Sequence, residues 1–277
     1  MEYPHPNSPS SESDDKECVA PGPKLTPEHL TTPEDTYAFL RHFDTVFLID
    51  DSEGMFEYWP EIAALLQSIV SICNEHDSDG IDVFFVNHRP PGHRLSGFLG
   101  SEDDRSGYRH IRKASGSIEM RDNVAGIFAR VVPRGSCRLG RRLGYILNSY
   151  MRDYEMGLQT SIDGPTGQRH YLKPLNLIVI TAGFSEDNPK EALIQTARRL
   201  DELHAPAYQV SVQMFRVNDD ESPRLAMGFS YDTQTEALDM RDKAPPVTWS
   251  GLEGELTLET ILKTVLFSVK SCIDKQD

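Results

Sequence analysis

The 277-residue chain is short of basic residues: 28 Lys plus Arg stand against 43 Asp plus Glu, a formal charge of −15. Nucleic acids and anionic membranes attract a net basic footprint, so this balance excludes both as general partners and leaves any basic patch to act locally. Cysteine is scarce too. The four thiols, Cys18, Cys73, Cys137 and Cys272, show no C-x-x-C spacing. That excludes a legible disulfide framework or zinc site and fits a reduced, intracellular, cytoplasmic protein. No run approaches the roughly 18–20 apolar residues of a membrane span. MEYPHPNSPSSESDDKE at the start has neither the basic nor the apolar region of a secretory signal. Catalytic signatures are missing as well. There is no G-x-S-x-G elbow, and no His or Asn is placed by motif to serve Cys137. GSCRLG over 135–140 has a P-loop's glycine frame, but Arg141 and Arg142 occupy the Lys and Ser/Thr positions, which excludes an NTPase. Ser52 stands where an aspartyl-nucleophile phosphatase needs its second acid. His88, His93 and His110 are irregularly spaced and read as solvated.

What is present divides in two. Residues 1–36 form an acidic Pro/Ser-rich stretch, with seven prolines in the first 33 positions. It cannot bury enough apolar surface to offset its ordering entropy and reads as a disordered tail. Ser8 and Ser11 would suit phosphorylation, although an unmodified solvated tail is the favoured reading. Residues 37–277 read as one folded domain. DTVFLID over 44–50 is an apolar run closed by acidic residues, the pattern of a strand buried on both faces. Ile62, Leu65, Leu66, Ile69, Val70 and Cys73 recur at helical spacing within 58–76. A second buried strand follows over 81–86, completing a βαβ unit. Residues 88–116 read as a long surface loop, 117–131 as a helix, 133–140 as a turn into a helix ending near 153, and 155–173 as a polar loop. LNLIVIT (175–181) is a central strand, 190–204 a helix, 208–217 a strand and 257–273 a terminal amphipathic helix. This order predicts an α/β fold with a doubly wound, mostly parallel open sheet. Trp59 and Trp249 read as half-buried anchors, and the acids of DMRD (239–242) as surface ion pairs.

In such a sheet the functional crevice lies beyond the carboxyl ends of the strands. Three loops meet there: the one after Ile49 (DDSEGM), the one after Val132 (GSCRLG) and the one after Ile180 (TAGFS). FLIDDSEGM resembles the first-strand motif of von Willebrand factor A domains, hydrophobic-D-x-S-x-S-M. YAFLRHFDTVFLIDDS, SDGIDVFFVN, VVPRGSCRLGRRLGYILNSYM, LNLIVITAG, YQVSVQMFRV, LDMRDKAP and LTLETILKTVLFSVKSCID are, in that order, similar to the fungal intracellular members. The resemblance spans residues 37–274. It implies a Rossmann-like fold and a metal-ion-dependent adhesion site, in which a hard cation such as Mg²⁺ is held by oxygens and accepts a partner's carboxylate.

Carried over by position, Asp50 and Ser52 match the first two ligands. Gly54 replaces the second Ser, Cys137 replaces the Thr and Ala182 replaces the Asp. A thiol is a soft ligand poorly matched to Mg²⁺, and with two oxygen donors left of five the site reads as vestigial, with no metal expected. Asp50 and Ser52 then fix the strand-end turn, and Asp50→Ala is expected to alter stability only slightly. The partner-binding loops carry Asp50, Ser52, Gly54, Ser136, Cys137 and Ala182. Arg138, Arg141 and Arg142 follow at the start of a helix, whose N-terminal partial charge would suit an anion and a lowered thiol pKa at Cys137, but three solvated arginines and an inert buried thiol are the favoured reading. The function expected is a non-catalytic protein-protein interaction or scaffold module. It has no cofactor, another protein as partner and no membrane span. The alternatives are Mg²⁺-dependent carboxylate binding through a rearranged site, an accessory protein of a fungal biosynthetic pathway, or a weak Cys137-based or anion-binding enzyme.

Overall fold

A strand buried on both faces needs a covering layer on each, and the chain supplies two. The computed structural model describes residues 25–77, 80–90, 107–111, 123–163, 172–182, 185–217, 225–229, 249–253 and 257–274. Its elements are α1 (Pro27–Leu30), β1 (Asp44–Ile49), α2 (Trp59–His76), β2 (Ile81–Phe85), β3 (Tyr108–Ile111), α3 (Val124–Arg130), α4 (Leu139–Asp163), β4 (Leu175–Thr181), α5 (Pro189–Glu202), β5 (Val210–Arg216), β6 (Leu225–Phe229), β7 (Trp249–Glu253) and α6 (Leu258–Asp274). Short 3-10 turns occupy Ala38–His42 and Glu53–Met55.

The main sheet has the order β3-β2-β1-β4-β5. β1 pairs in parallel with both β2 and β4, and β4 in parallel with β5, while β3 runs antiparallel at the edge. Strand side chains alternate between faces. β1 accordingly sends Phe47 and Ile49 into one core and Val46 and Leu48 into the other. The first core packs against α2, α3 and α6 through residues such as Ile62, Phe128 and Val265. The second packs against α4 and α5 through Leu143, Leu147, Met151 and Leu200. This is the doubly wound α/β architecture expected, and it reverses direction between β1 and β4, where the crevice of such a sheet opens.

Several expectations need correction. The chain is packed from Leu25 onward: Leu25 and Leu30 lie in the first core, so the tail boundary expected at 36 falls inside folded structure. Asp35 also pairs with Arg41 at 2.6 Å and His76 at 2.8 Å, tying this segment to the end of α2. The loop expected over 88–116 contains β3, whose Tyr108 and Ile111 are buried. α3 starts at Val124 rather than near 117, because Asn123 is extended and its side chain caps the helix by accepting from the Gly126 amide at 2.7 Å. α4 runs on to Asp163, through half of the polar loop expected over 155–173, because Tyr154 and Leu158 continue its apolar stripe into the second core. β6 and β7 form an unexpected antiparallel pair with β6 lying against β5. The readings for residues 1–24, for His93, and for the 239–242 acids lie outside the described residues.

Candidate functional site

The three loops do converge beyond β1 and β4. Asp50, the first residue after β1, is buried. One of its carboxylate oxygens accepts from the Ser52 amide at 2.9 Å, and the other accepts from the Thr181 hydroxyl, at the end of β4, at 2.8 Å. The Cys137 thiol also donates to this carboxylate. One residue from each loop is thus joined at a single buried acid. Thr181 was not foreseen, since inside a buried strand nothing in the sequence marks its hydroxyl as an Asp50 partner.

Cys137 is not an activated nucleophile. Burial first, and then the charge of Asp50 and the hydrogen bond to it, push its thiol up to about 12, against smaller opposing contributions from Thr181 and the Leu139 amide. The inert buried thiol is the reading that holds over the lowered pKa, because a buried thiol beside a carboxylate loses far more by ionising than a helix terminus returns.

The anion pocket expected at the start of α4 is corrected as well, because the protein fills it from within. The Asp187 carboxylate accepts from the Gly140 amide at 2.7 Å and the Arg141 amide at 2.6 Å, and the Ser185 hydroxyl accepts from the Leu139 amide at 3.1 Å. Burial alone would raise the Asp187 carboxyl, but the Ser185 hydroxyl and the two amides outweigh it and hold it below its ordinary value. Gly140 makes this junction possible, since a Cβ there would lie 2.8 Å from the Asn188 backbone.

The three arginines are committed elsewhere. Arg142 is 1 % exposed, and its Nε donates to the Phe85 carbonyl at 2.9 Å while its guanidinium covers the Phe84 ring. Arg141 reaches the Tyr145 hydroxyl and ring. Arg138 pairs with Glu186 at 3.2 Å. Asp187 and Ser185 escaped sequence reading because SEDNP looks like the cap of the following helix alone. Asn188 does take that role, accepting from the Lys190 amide.

A hard cation wants about six oxygen donors, and the residues present do not fit one. Both Asp50 oxygens already have partners, and Gly54 and Ala182 bring no donor. They instead face each other across the crevice: a Cβ at Gly54 would stand 3.6 Å from the Ala182 Cβ, an ordinary contact. Asp51 cannot substitute. It is buried, and its two oxygens accept from the Asn87 and His88 amides at 2.7 and 2.8 Å. Burial, above all, raises its carboxyl despite those bonds. Glu53 is exposed, while its amide donates to the Gly135 carbonyl at 3.0 Å. Among the described residues no group of three or more His, Cys, Asp or Glu side chains is placed to hold a metal ion.

Beside Asp50 the first and second loops enclose an open cleft of about 480 Å³, lined by Asp51, Asn87, His88, Arg130, Val132, Arg134 and Gly135. Asn87 organises it. Its side-chain amide donates to the Arg134 and Ser136 carbonyls at 3.1 and 3.0 Å, so Ser136 enters the site through its backbone. His88 is not simply solvated: it shares a 2.9 Å hydrogen bond with the Tyr108 hydroxyl and stacks on that ring. Burial first, then the nearby Arg89, Arg130 and Arg134, lower its pKa. Trp59 is half-buried as expected, donating to the Phe128 carbonyl at 3.2 Å.

Among the described residues no helix is long and apolar enough to cross a membrane. No family model and no curated protein matches the chain. Among solved structures the chain is similar to the crystal structure of manganese-loaded Plasmodium vivax TRAP protein, at 10% identity and a TM-score of 0.39, covering 83% of this chain and 74% of that one.

Proposed function

We propose that this chain is a non-catalytic protein-binding module that meets its partner with the loops beyond β1, β2 and β4 and uses no metal ion or other cofactor. The observation that carries the reading is the closed hydrogen-bond set around Asp50, in which the side chains that would face a cation instead satisfy one another. The resemblance to von Willebrand factor A domains, whose intracellular fungal members the sequence is similar to, supports the choice of this face, and the reading places the chain inside the cell. Exposed Phe56 and Val132, 63 % and 62 % accessible, add apolar surface at the same end of the molecule. Isolated exposed apolar residues need no explanation, but two on adjoining crevice loops are what a partner would cover.

The test has a metal arm and a partner arm. Millimolar MgCl₂ or MnCl₂ is expected to leave the melting temperature of the protein unchanged. The Gly54→Ser, Cys137→Thr, Ala182→Asp triple variant, which restores the three missing donors, is expected to gain a cation-dependent rise, since a ligand that binds only the folded state stabilises it by mass action. A rise of several degrees in the unaltered protein that Asp50→Asn abolishes would overturn the metal-free reading. In extracts of its native cell, a photo-crosslinking residue at position 56 is expected to yield a discrete adduct that survives EDTA. The same residue at exposed position 202, at the far end of α5, is expected to yield none. Equal labelling from both ends would refute the crevice as the binding face.

A further inference from the structure

The segment before β1 is fastened at both ends and stands clear of the protein in between. Leu25 and Leu30 are buried on one side, and Phe39, Leu40 and Phe43 on the other, while residues 31–34 and 36 are exposed. The exposed stretch is a closed turn. The Thr32 amide donates to the Asp35 carbonyl at 3.0 Å. The Asp35 amide donates back, to the Thr32 carbonyl at 3.2 Å and to the Thr32 hydroxyl oxygen at 3.0 Å. Pro33 follows, and a proline keeps the residue before it out of the helical region. The same turn carries a cation. Asp35 accepts from one Arg41 N–H at 2.6 Å through Oδ2, while Oδ1 accepts from the Tyr37 amide at 3.0 Å and lies 2.8 Å from His76 Nε2 on α2. A guanidinium has five N–H donors, and the Arg41 side chain is 55 % exposed, so it has donors to spare beside the Thr32 turn.

We propose that Thr32 is a phosphorylation site of a proline-directed protein kinase, and that Arg41 receives its phosphate and locks the exposed turn onto the segment packed beneath it. The Thr32 hydroxyl oxygen attacks the γ-phosphorus of ATP. The new O–P bond forms as the bond to the β,γ-bridging oxygen breaks, ADP leaves with that electron pair, and the hydroxyl proton passes to the base of the kinase. The product brings a charge of about −1.5 to −2 and three acceptor oxygens. Two of those oxygens match the parallel N–H pair of a guanidinium. Arg41 belongs to the 3-10 turn Ala38–His42, whose Ala38, Phe39 and Leu40 are buried, so a phosphate held there ties the turn to packed structure. Glu34 and Asp35 repel the phosphate, which makes its seat depend on the Arg41 charge. Thr26-Pro27 is the same dipeptide in a different state: the Thr26 hydroxyl shares a 2.9 Å hydrogen bond with His29 Nδ1, and the preceding Leu25 is buried. Folding therefore offers Thr32 to a kinase and withholds Thr26. The site precedes β1, away from the crevice loops that follow the strands, and does not depend on what those loops bind.

Incubation of the full chain with ATP and a purified mitogen-activated or cyclin-dependent protein kinase, followed by peptide mass spectrometry, tests the site. Thr32 is expected to be phosphorylated at least about tenfold faster than Thr26 in the folded protein, because opening of the packed Leu25 end limits access to Thr26. In a synthetic peptide of residues 25–36 the two are expected to react at rates within about threefold, since that protection is gone. A kinase that phosphorylates the peptide and leaves Thr32 of the folded protein untouched overturns the site. So does rejection of the peptide by both kinases, or equal reaction of Thr26 and Thr32 in the folded chain. Two readouts on the phosphorylated protein test the role of Arg41. Hydrogen exchange of the amides of residues 32–37 is expected to slow at least about threefold relative to the unmodified protein. The phosphate, followed by phosphorus NMR, is expected to titrate at lower pH than in the phosphorylated Arg41→Ala variant, because a neighbouring cation favours the dianion. Arg41 is exposed, so an unchanged melting curve is expected to show that this variant folds. Identical titration with and without Arg41, or faster exchange in the phosphorylated turn, overturns Arg41 as the seat of the phosphate.

Discussion

At the scale of the residue, Asp50 and Cys137 show how a carboxylate and a thiol in van der Waals reach restrain each other. Asp50 has the Ser52 amide and the Thr181 hydroxyl as donors in a site closed to water. A buried group left without its partner costs about 1–3 kcal/mol. Asp50→Ala orphans these two donors and the Cys137 thiol, so we expect a melting temperature lower by several degrees, a larger effect than the slight one a strand-end turn suggests. In the same molecule Cys137, with its thiol pushed up to about 12, should resist iodoacetamide at pH 7.5 until guanidinium unfolds the chain. Asp50→Asn removes the charge that opposes ionisation and is expected to speed the labelling, read by peptide mass spectrometry. Rapid native labelling of Cys137, or slower labelling in the Asn variant, would contradict this account. The resemblance of the sequence to the family motif aligns Asp50 and Ser52 with two of its donor positions, and Gly54, Cys137 and Ala182 with departures from it. The state of the thiol is not legible in this way, because it depends on burial and on a neighbour 87 positions away in the chain.

At the scale of the element, α4 illustrates a cap supplied from far along the chain. Its first amides are satisfied by Asp187 and Ser185, some 46 residues downstream, and not by a residue of its own turn. The Asp187 carboxyl is held below its ordinary 3.8 in the folded protein. A depressed carboxyl contributes stability that is fully present above the unfolded value and is lost as pH falls through the folded one, so the loss lies below pH 3.8. Asp187→Asn is therefore expected to cost about 1 kcal/mol at pH 7, the usual worth of a helix cap, and progressively less as pH falls below 3.8. Urea unfolding of both proteins at several pH values measures the difference. A gap that stays constant into strong acid would refute the capping role. Asp51 acts in the opposite direction: its carboxyl is raised, so its contribution declines as pH rises through its folded value. Comparing each variant with its parent at the same pH removes this background. α4 also shows where periodicity runs past an apparent stop. Leu147, Met151, Tyr154 and Leu158 keep one apolar stripe, but the polar run around Gly157 masks its last turns. β3, with four residues and two of them exposed, is too short for an alternating pattern to identify.

At the scale of the whole molecule, the segment before β1 closes the lower part of the first core. Leu25 and Leu30 are buried there, and the Leu25 amide donates to the Tyr208 hydroxyl at 3.2 Å. Fully burying a leucine is worth about 1.5–3 kcal/mol. A chain beginning at Leu25 is expected to be at least about 3 kcal/mol more stable to urea than one beginning at Tyr37, and equal stability of the two would return the segment to the tail. The composition of residues 25–36, with two prolines and seven acids or threonines around two leucines, hides this contribution from any reading based on averages.

The division between sequence and structure follows the range of the interactions. Buried strands, amphipathic helices and the sheet class are encoded by neighbours two, three or four positions apart, and these are visible in DTVFLI, in LNLIVIT and in α2. That Gly54, Cys137 and Ala182 carry no oxygen in their side chains is equally local, since it needs only residue identities. Which groups meet is set by strand order, which brings Thr181 to Asp50 across 131 positions and Asp187 to Gly140 across 47. The same packing turned Arg142 inward and placed Arg130 and Arg134 around a shared cleft, so arginines that look alike in the sequence came to hold opposite positions, one a core member and two a charged surface. Free energies of burial and pairing decide that outcome, and they exist only once the layers of the fold have closed.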